Sequence, residues 1–384
     1  MKKIRDFFTV TCVLFVIVAL LIGVSEWGAR QVNSYLKWKW ATKRETPPYS
    51  REHVAKLYNT DNPERYFSVQ RENWGAVTEG VEYLPFAEFK MREYSGKHFT
   101  ISDFGARSNG SDGITPIAEN GNPLIYVFGG STTFGHGVDN TETIPAYLED
   151  WIVGAGHRDY RVVNFGTIGA FSTQERILFQ NILYQLPKPK IAVFIDGLND
   201  FLFCAIPDKS MISHRISRNF QKAGGGSFGR VLASRSNVVK LWKFLTEAQP
   251  IDRSRVGADC YGGSEKAAAL VRRLTANRTM IKAVAEQFGI STYFVQQPVP
   301  AFAFADSDRV VAVPPTPVDY GMVHDAYEMM SAAKNGSEDT LADSMIWLET
   351  LRIEENMYID EIHYSPQFNR EIARHIYRAI SHGL

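Results

Sequence analysis

Apolar positions follow three different patterns along this chain. Residues 7–25 (FFTVTCVLFVIVALLIGVS) carry no charge, and a helix of about 20 such residues spans a bilayer core. From position 26 to about 118 the apolar residues lose any clean period, with Trp38, Trp40, Tyr58, Tyr66, Trp74, Tyr83 and Phe86 scattered among polar ones. That pattern predicts a juxtamembrane linker and then a small irregular or β-rich appendage. Past Pro123 a short apolar run, a glycine-containing loop and an amphipathic stretch follow one another repeatedly. Such alternation marks an α/β fold with a mainly parallel sheet.

Strands are predicted over 124–128, 161–165, 191–195 and 292–296, and helices over 143–153, 172–186 and 264–288. Ser172, followed three places on by Glu175, matches a capping box and sets the start of the second helix. After Pro366, a residue tolerated in a first turn, Phe368, Ile372, Ile376 and Ile380 recur at every fourth position and predict a last helix packed on the sheet. The stretch 201–263 interrupts the rhythm and contains the glycine run 223–229; loops that long are functional or disordered, and this one is expected to wall the site. The domain plan is therefore an anchor over 1–26, linker and appendage over 27–118, and a three-layer α/β/α domain over 119–384 with an insertion at 201–263.

Composition narrows the partners. The 384 residues are 45% apolar and 22% charged, and 42 basic residues balance 42 acidic ones, so no net field favours nucleic acid. The apolar span is long for a cleaved signal peptide, although Gly23-Val24-Ser25 would serve as a small-residue cleavage site. Lys2, Lys3 and Arg5 precede the span while Arg30, Lys37, Lys39, Lys43 and Arg44 follow it, so positive-inside counting does not fix the orientation. Cys12 lies in the span; Cys204 and Cys260 are either a disulfide of an exported domain or two thiols.

Candidate chemistry sits in four short blocks. Gly129-Gly130-Ser131-Thr132 ends the first strand, where a glycine turn can present a hydroxyl at a helix start beside unspent N–H groups. It is not a phosphate loop, since no lysine follows, nor an α/β-hydrolase elbow, which would need glycine at Thr133. Residues 164–169 (NFGTIG) offer Gly166 and Gly169 as backbone donors or as mere turn glycines. Gly197-Leu198-Asn199-Asp200 offers the Asn199 amide, equally at home in a turn. Asp360 and His363 are spaced so that the carboxylate reaches one ring nitrogen and leaves the other for a serine. His136, five places after Ser131, is a rival base with only Asp139 near in sequence to orient it. Asp360 and His363 could be two metal ligands, but no third is spaced with them, so neither metal nor cofactor is expected.

In this order the blocks resemble those of the GDSL/SGNH hydrolase family over residues 123–383. The resemblance implies Ser131 as nucleophile, Ser131, Gly169 and Asn199 as oxyanion donors with Gly166 as runner-up to Gly169, and Asp360 and His363 as the rest of a catalytic triad. It departs from the family where Gly130 replaces the aspartate of Gly-Asp-Ser-Leu. With the apolar span, it implies a membrane-tethered enzyme of the bacterial envelope, its catalytic domain outside the cytoplasm, that removes a short acyl group, acetyl above all, from a glycan or lipid. Two alternatives stay open: an O-acyltransferase using the same triad, and a non-catalytic binding or assembly module. Protein partners are not legible.

Overall fold

The computed structural model describes residues 2–44, 50–84, 86–110, 121–202, 236–239, 241–242, 263–302, 321–334 and 341–384, leaving aside the side chains of 2–10, 36–44 and 74–79. Cys204, Cys260, the glycine run 223–229 and most of the insertion lie outside the described residues. The chain divides into two compact units, Met1–Pro48 with Arg215–Asp252, and Tyr49–His214 with Arg253–Leu384.

In the smaller unit helix α1 (Lys2–Arg44) contains Thr11–Tyr35, 25 residues of mean hydropathy 2.2. It is one helix long and apolar enough to cross a membrane, as an anchor or as a signal sequence would be. Within this unit the Glu26 carboxylate accepts from the Ser236 hydroxyl and from the Asn237 N–H, and the Asn33 amide donates to the Asn237 carbonyl at 3.0 Å.

The larger unit opens with α2 (Arg51–Leu57) and α3 (Pro63–Glu79), then four short strands, β1 (Val81–Leu84), β2 (Glu88–Met91), β3 (Tyr94–Ser95) and β4 (Thr100–Ile101). This stretch is mixed, not β-rich. Ser50 caps α2 by accepting from the His53 N–H at 3.2 Å, and Pro63 starts α3 where its missing N–H costs nothing. Among the described side chains α2 buries Val54 and Leu57, and α3 buries Tyr66, Val69 and Asn73. So few inward positions among scattered aromatics leave no visible period. The apolar ones pack with Phe99, Ile101, Phe134, Val138 and Ile359 into one cluster.

The α/β core follows as β5 (Leu124–Gly129), α4 (Ser131–Phe134), α5 (Ile144–Gly154), β6 (Arg161–Gly166), α6 (Ser172–Gln185), β7 (Ile191–Asp196), α7 (Leu198–Leu202), α8 (Gly263–Gln287), β8 (Ser291–Gln296), α9 (Gly321–Ala333), β9 (Met345–Trp347) and α10 (Pro366–Ile380). The sheet runs β6-β5-β7-β8-β9 with every pair parallel, as the alternating pattern predicts. Side chains alternate between its faces. Ile125, Val127, Val193, Ile195 and Val295 meet α5 and the Phe368, Ile372, Ile376, Ile380 stripe of α10. Tyr126, Phe128, Ala192, Phe194 and Phe294 meet α6 and α8 on the other side. Both sheet faces are thus covered, which is why the strands read as continuous apolar runs.

One local expectation changes. α6 begins at Ser172 itself, with Phe171 as its cap residue, and Gln174, not Glu175, takes the Phe171 N–H at 3.3 Å. The Ser172 hydroxyl is spent elsewhere, donating to Asp200 at 2.6 Å.

Candidate active site

Chain order reverses direction in the sheet at β5, with β6 on one side and β7 on the other, so the loops leaving β5 and β7 part and open a crevice at their carboxyl ends. Ser131 stands at one lip as the first residue of α4, directly after Gly130, and Asn199 at the other in α7. The segment between β9 and α10 carries Asp360 and His363 over the same crevice. His363 Nε2 lies 2.8 Å from Ser131 Oγ, and His363 Nδ1 lies 2.6 Å from Asp360 Oδ2. The other Asp360 oxygen accepts the backbone N–H groups of Ile362 and His363 at 2.9 and 2.8 Å, which fixes the carboxylate against rotation. Burial would push the Asp360 carboxyl up, but the charge and hydrogen bond of His363 outweigh it and hold the group well below its usual range.

The Ser131 turn is held from three directions. The Asn164 amide at the end of β6 donates to the Thr133 carbonyl at 3.1 Å, while its oxygen accepts the Gly166 N–H at 2.9 Å. A Cβ at Gly166 would stand 2.2 Å from the Phe134 nitrogen, so that glycine is a packing necessity where α4 crosses the strand. Arg107, 2% exposed, donates to the carbonyls of Phe134, Gly135 and Val138 at 2.7, 2.6 and 2.7 Å and to Asn140 Oδ1 at 3.0 Å. Burial pushes its guanidinium down to about 9, against the pull of Asp139, Glu142 and Glu72. From the appendage, the Tyr58 hydroxyl donates to the Gly137 carbonyl at 2.9 Å.

The opposite lip carries the Gly169 turn and the Asn199 amide. Gly169 has φ +79 in the turn closed by the Ala170 N–H on the Thr167 carbonyl at 3.0 Å, the left-handed conformation such a third position favours for glycine. The Asn199 amide nitrogen donates one hydrogen to the Ala170 carbonyl at 2.7 Å, which orients the second. A Cβ at Gly130 would stand 2.4 Å from that nitrogen, so glycine there lets Asn199 close on the Ser131 turn. Asp200 ties the two loops by accepting from the Ser172 N–H at 3.2 Å and its hydroxyl at 2.6 Å. Burial and the adjacent Asp196 push Asp200 up to about 6, against Arg273, and burial with Asp196 raises Glu175 well above its ordinary value.

His136, Asp360 and His363 together could be taken for a three-ligand metal cluster. The 2.6 Å between His363 Nδ1 and Asp360 Oδ2 is hydrogen-bond spacing. Two ligands of one tetrahedral zinc would stand ~3.3 Å apart at the usual bond lengths.

Sequence reasoning passed over Arg107, Asn73, Asp200 and the hold of Asn164 on Thr133. Asn164 and Asp200 lie inside the second and third blocks, where Gly166, Gly169 and Asn199 carry the expected chemistry. Arg107 and Asn73 come from a segment with no periodicity to mark them.

No family model and no curated protein matches the chain. Solved structures do resemble it in part. An acetyl xylan esterase is 13% identical, with TM-score 0.36, over 67% of this chain and 99% of its own. The psychrotrophic esterase EstA from Pseudoalteromonas sp. is 13% identical, with TM-score 0.35, over 68% and 98%. A protein assigned to the lipolytic G-D-S-L family from Desulfitobacterium hafniense DCB-2 is 11% identical, with TM-score 0.36, over 67% and 99%.

Proposed function

We propose that this chain is a serine esterase of the GDSL/SGNH type, tethered to an envelope membrane by α1, that removes a short acyl group from a glycan or lipid. The observation that carries the reading is the unbroken hydrogen-bond chain from Ser131 through His363 to Asp360. His363 takes the Ser131 proton as the hydroxyl oxygen attacks the ester carbonyl, and Asp360 orients the ring and stabilises its cation. Charge moves to the carbonyl oxygen, which meets the Ser131 N–H, without an intrahelical acceptor at a helix start, the Gly169 N–H and the second hydrogen of the Asn199 amide. The C–O bond breaks, the alcohol leaves with the proton from His363, and water repeats the sequence to free acid and serine. The short acyl group, acetyl in the first instance, and the extracytoplasmic position are part of this reading and rest on the resemblance of the four blocks and the apolar span to envelope members of that family.

The test is a fluorophosphonate applied to the full chain in detergent, with the adduct mapped by peptide mass. The adduct is expected on Ser131, with Ser131→Ala unlabelled; an adduct that stays elsewhere in that variant would remove Ser131 as nucleophile. Acetate release from an aryl acetate is expected to exceed acetyl transfer to added saccharide. The reverse would make the enzyme a transferase.

A further inference from the structure

His136 enters the crevice from the loop after the Ser131 turn, and the mechanism above gives it no task. Its ring centre lies 4.3 Å from that of His363 with the planes 30° apart, so the two imidazoles lie against each other at a tilt. The Asn73 amide nitrogen stands 3.2 Å from each His136 ring nitrogen, and the Asn73 oxygen accepts the Gly137 N–H at 3.4 Å. Asn73 is 2% exposed and belongs to α3, so the N-terminal appendage reaches the crevice through it. Gln70, one turn earlier on the same helix, donates at 3.0 Å to the Tyr58 hydroxyl that grips Gly137.

The titratable groups facing His136 are His363, Asp360 and Arg107. Burial and the like charge that His363 carries once protonated, with a smaller push from Arg107, hold His136 well below the ordinary imidazole value against the pull of Asp360. A neutral ring has an acceptor nitrogen and a π-face to offer. His363 becomes a cation when it takes the serine proton, and an aromatic face at this range attracts a cation.

We propose that His136 is a positioning residue for the base: an imidazole tethered by Asn73, on whose face the His363 ring is held while it gains and returns the serine proton. This rests on the reading of His363 as the base. It also gives the appendage a part in the chemistry, since α3 supplies the tether.

The full chain in detergent is titrated with the fluorophosphonate, reading the labelling rate at saturation and the half-saturating concentration. His136→Leu, which keeps bulk without a flat face, is expected to lower the saturating rate about tenfold and leave half-saturation unchanged, while His136→Phe stays within about twofold of wild type. Equal rates in the Leu and Phe variants, or a loss confined to half-saturation, would overturn the proposal. If the Leu variant does not fold, Asn73→Ala decides: it keeps both imidazoles but frees His136 from its tether, and is expected to lower the saturating rate about threefold or more; an unchanged saturating rate would overturn the proposal. A wild-type chain that labels poorly at Ser131, or labels equally well as His363→Ala, would sink the reading of the base instead.

Discussion

Among the described residues of the larger unit, two serine–histidine–aspartate chains have distances that nearly coincide. In the crevice Ser131, His363 and Asp360 are joined at 2.8 and 2.6 Å. In the appendage His98 Nε2 lies 2.9 Å from Ser68 Oγ, and His98 Nδ1 lies 2.6 Å from Asp139 Oδ2. What separates them is where each serine stands. Ser131 opens a helix at a strand end, where its N–H has no intrahelical acceptor and Asn199 and the Gly169 turn adjoin it. Ser68 sits inside α3, where each N–H is spent on the carbonyl four residues back. The second chain can tie α3 to the loops bearing His98 and Asp139, but it has nowhere to put an oxyanion. Hydrogen bonds among the three side chains are therefore a poor mark of a nucleophile, and spare donors beside the serine are the better one.

The sharpest way to break this comparison is to remove each histidine in turn. His363→Ala is expected to slow phosphonylation of Ser131 about ten-thousandfold or more. His98→Ala should leave the rate within about threefold and lower unfolding stability by about 2 kcal/mol, as Ser68 and Asp139 lose their shared partner. An adduct on the Ser68 peptide would erase the distinction.

A second variant isolates the donors from the triad. At Gly130 the backbone is ordinary for any residue (φ −82, ψ −153), so alanine brings no strain. Its methyl group would nevertheless occupy the place of the Asn199 amide, 2.4 Å away. Gly130→Ala is expected to cut aryl acetate turnover about a hundredfold or more, the usual loss for one oxyanion donor, with little change in melting temperature. Turnover within a few-fold of wild type would show that Asn199 does not serve the reaction.

How far the sequence disclosed this site depends on how local each cause is. The parallel sheet and the α10 stripe at Phe368, Ile372, Ile376 and Ile380 were legible because sheet and helix repeat at fixed periods. Ser131, Asp360 and His363, which the structure brings within hydrogen-bond reach, each sit in a short block whose residue types suit one chemistry. Asn73 and Arg107 had no such mark: what makes them matter is contact with a loop far along the chain, as when Arg107 meets the carbonyls of Phe134, Gly135 and Val138. The helices α2 and α3 were hidden for a related reason, since tertiary packing, not a clear stripe, stabilises them. Glu175 misled because a carboxylate three places after a serine suits a cap, whereas here it is buried beside Asp196.

The smallest effect concerns what holds the donors in place. Ser68 and its partners tie the appendage at a rim where Arg65 and Glu142 pair at 3.1 Å. The Asn199 turn instead rests on Asp200, 1% exposed and raised to about 6 from an ordinary 3.8. A carboxyl raised on folding makes its full contribution to stability below about pH 4, and loses it as pH climbs through about 6. At neutral pH the charged Asp200 is therefore a standing cost, which the Ser172 hydrogen bonds and Arg273 reduce. Asp200→Asn removes the titration, so its stability relative to wild type is expected to improve by about 2 kcal/mol between pH 4 and pH 7, whatever its offset at pH 4. Urea unfolding at the two pH values measures that difference. A pH-independent offset would mean that the Asn199 lip carries no such cost, and that the two serine sites differ in their donors alone.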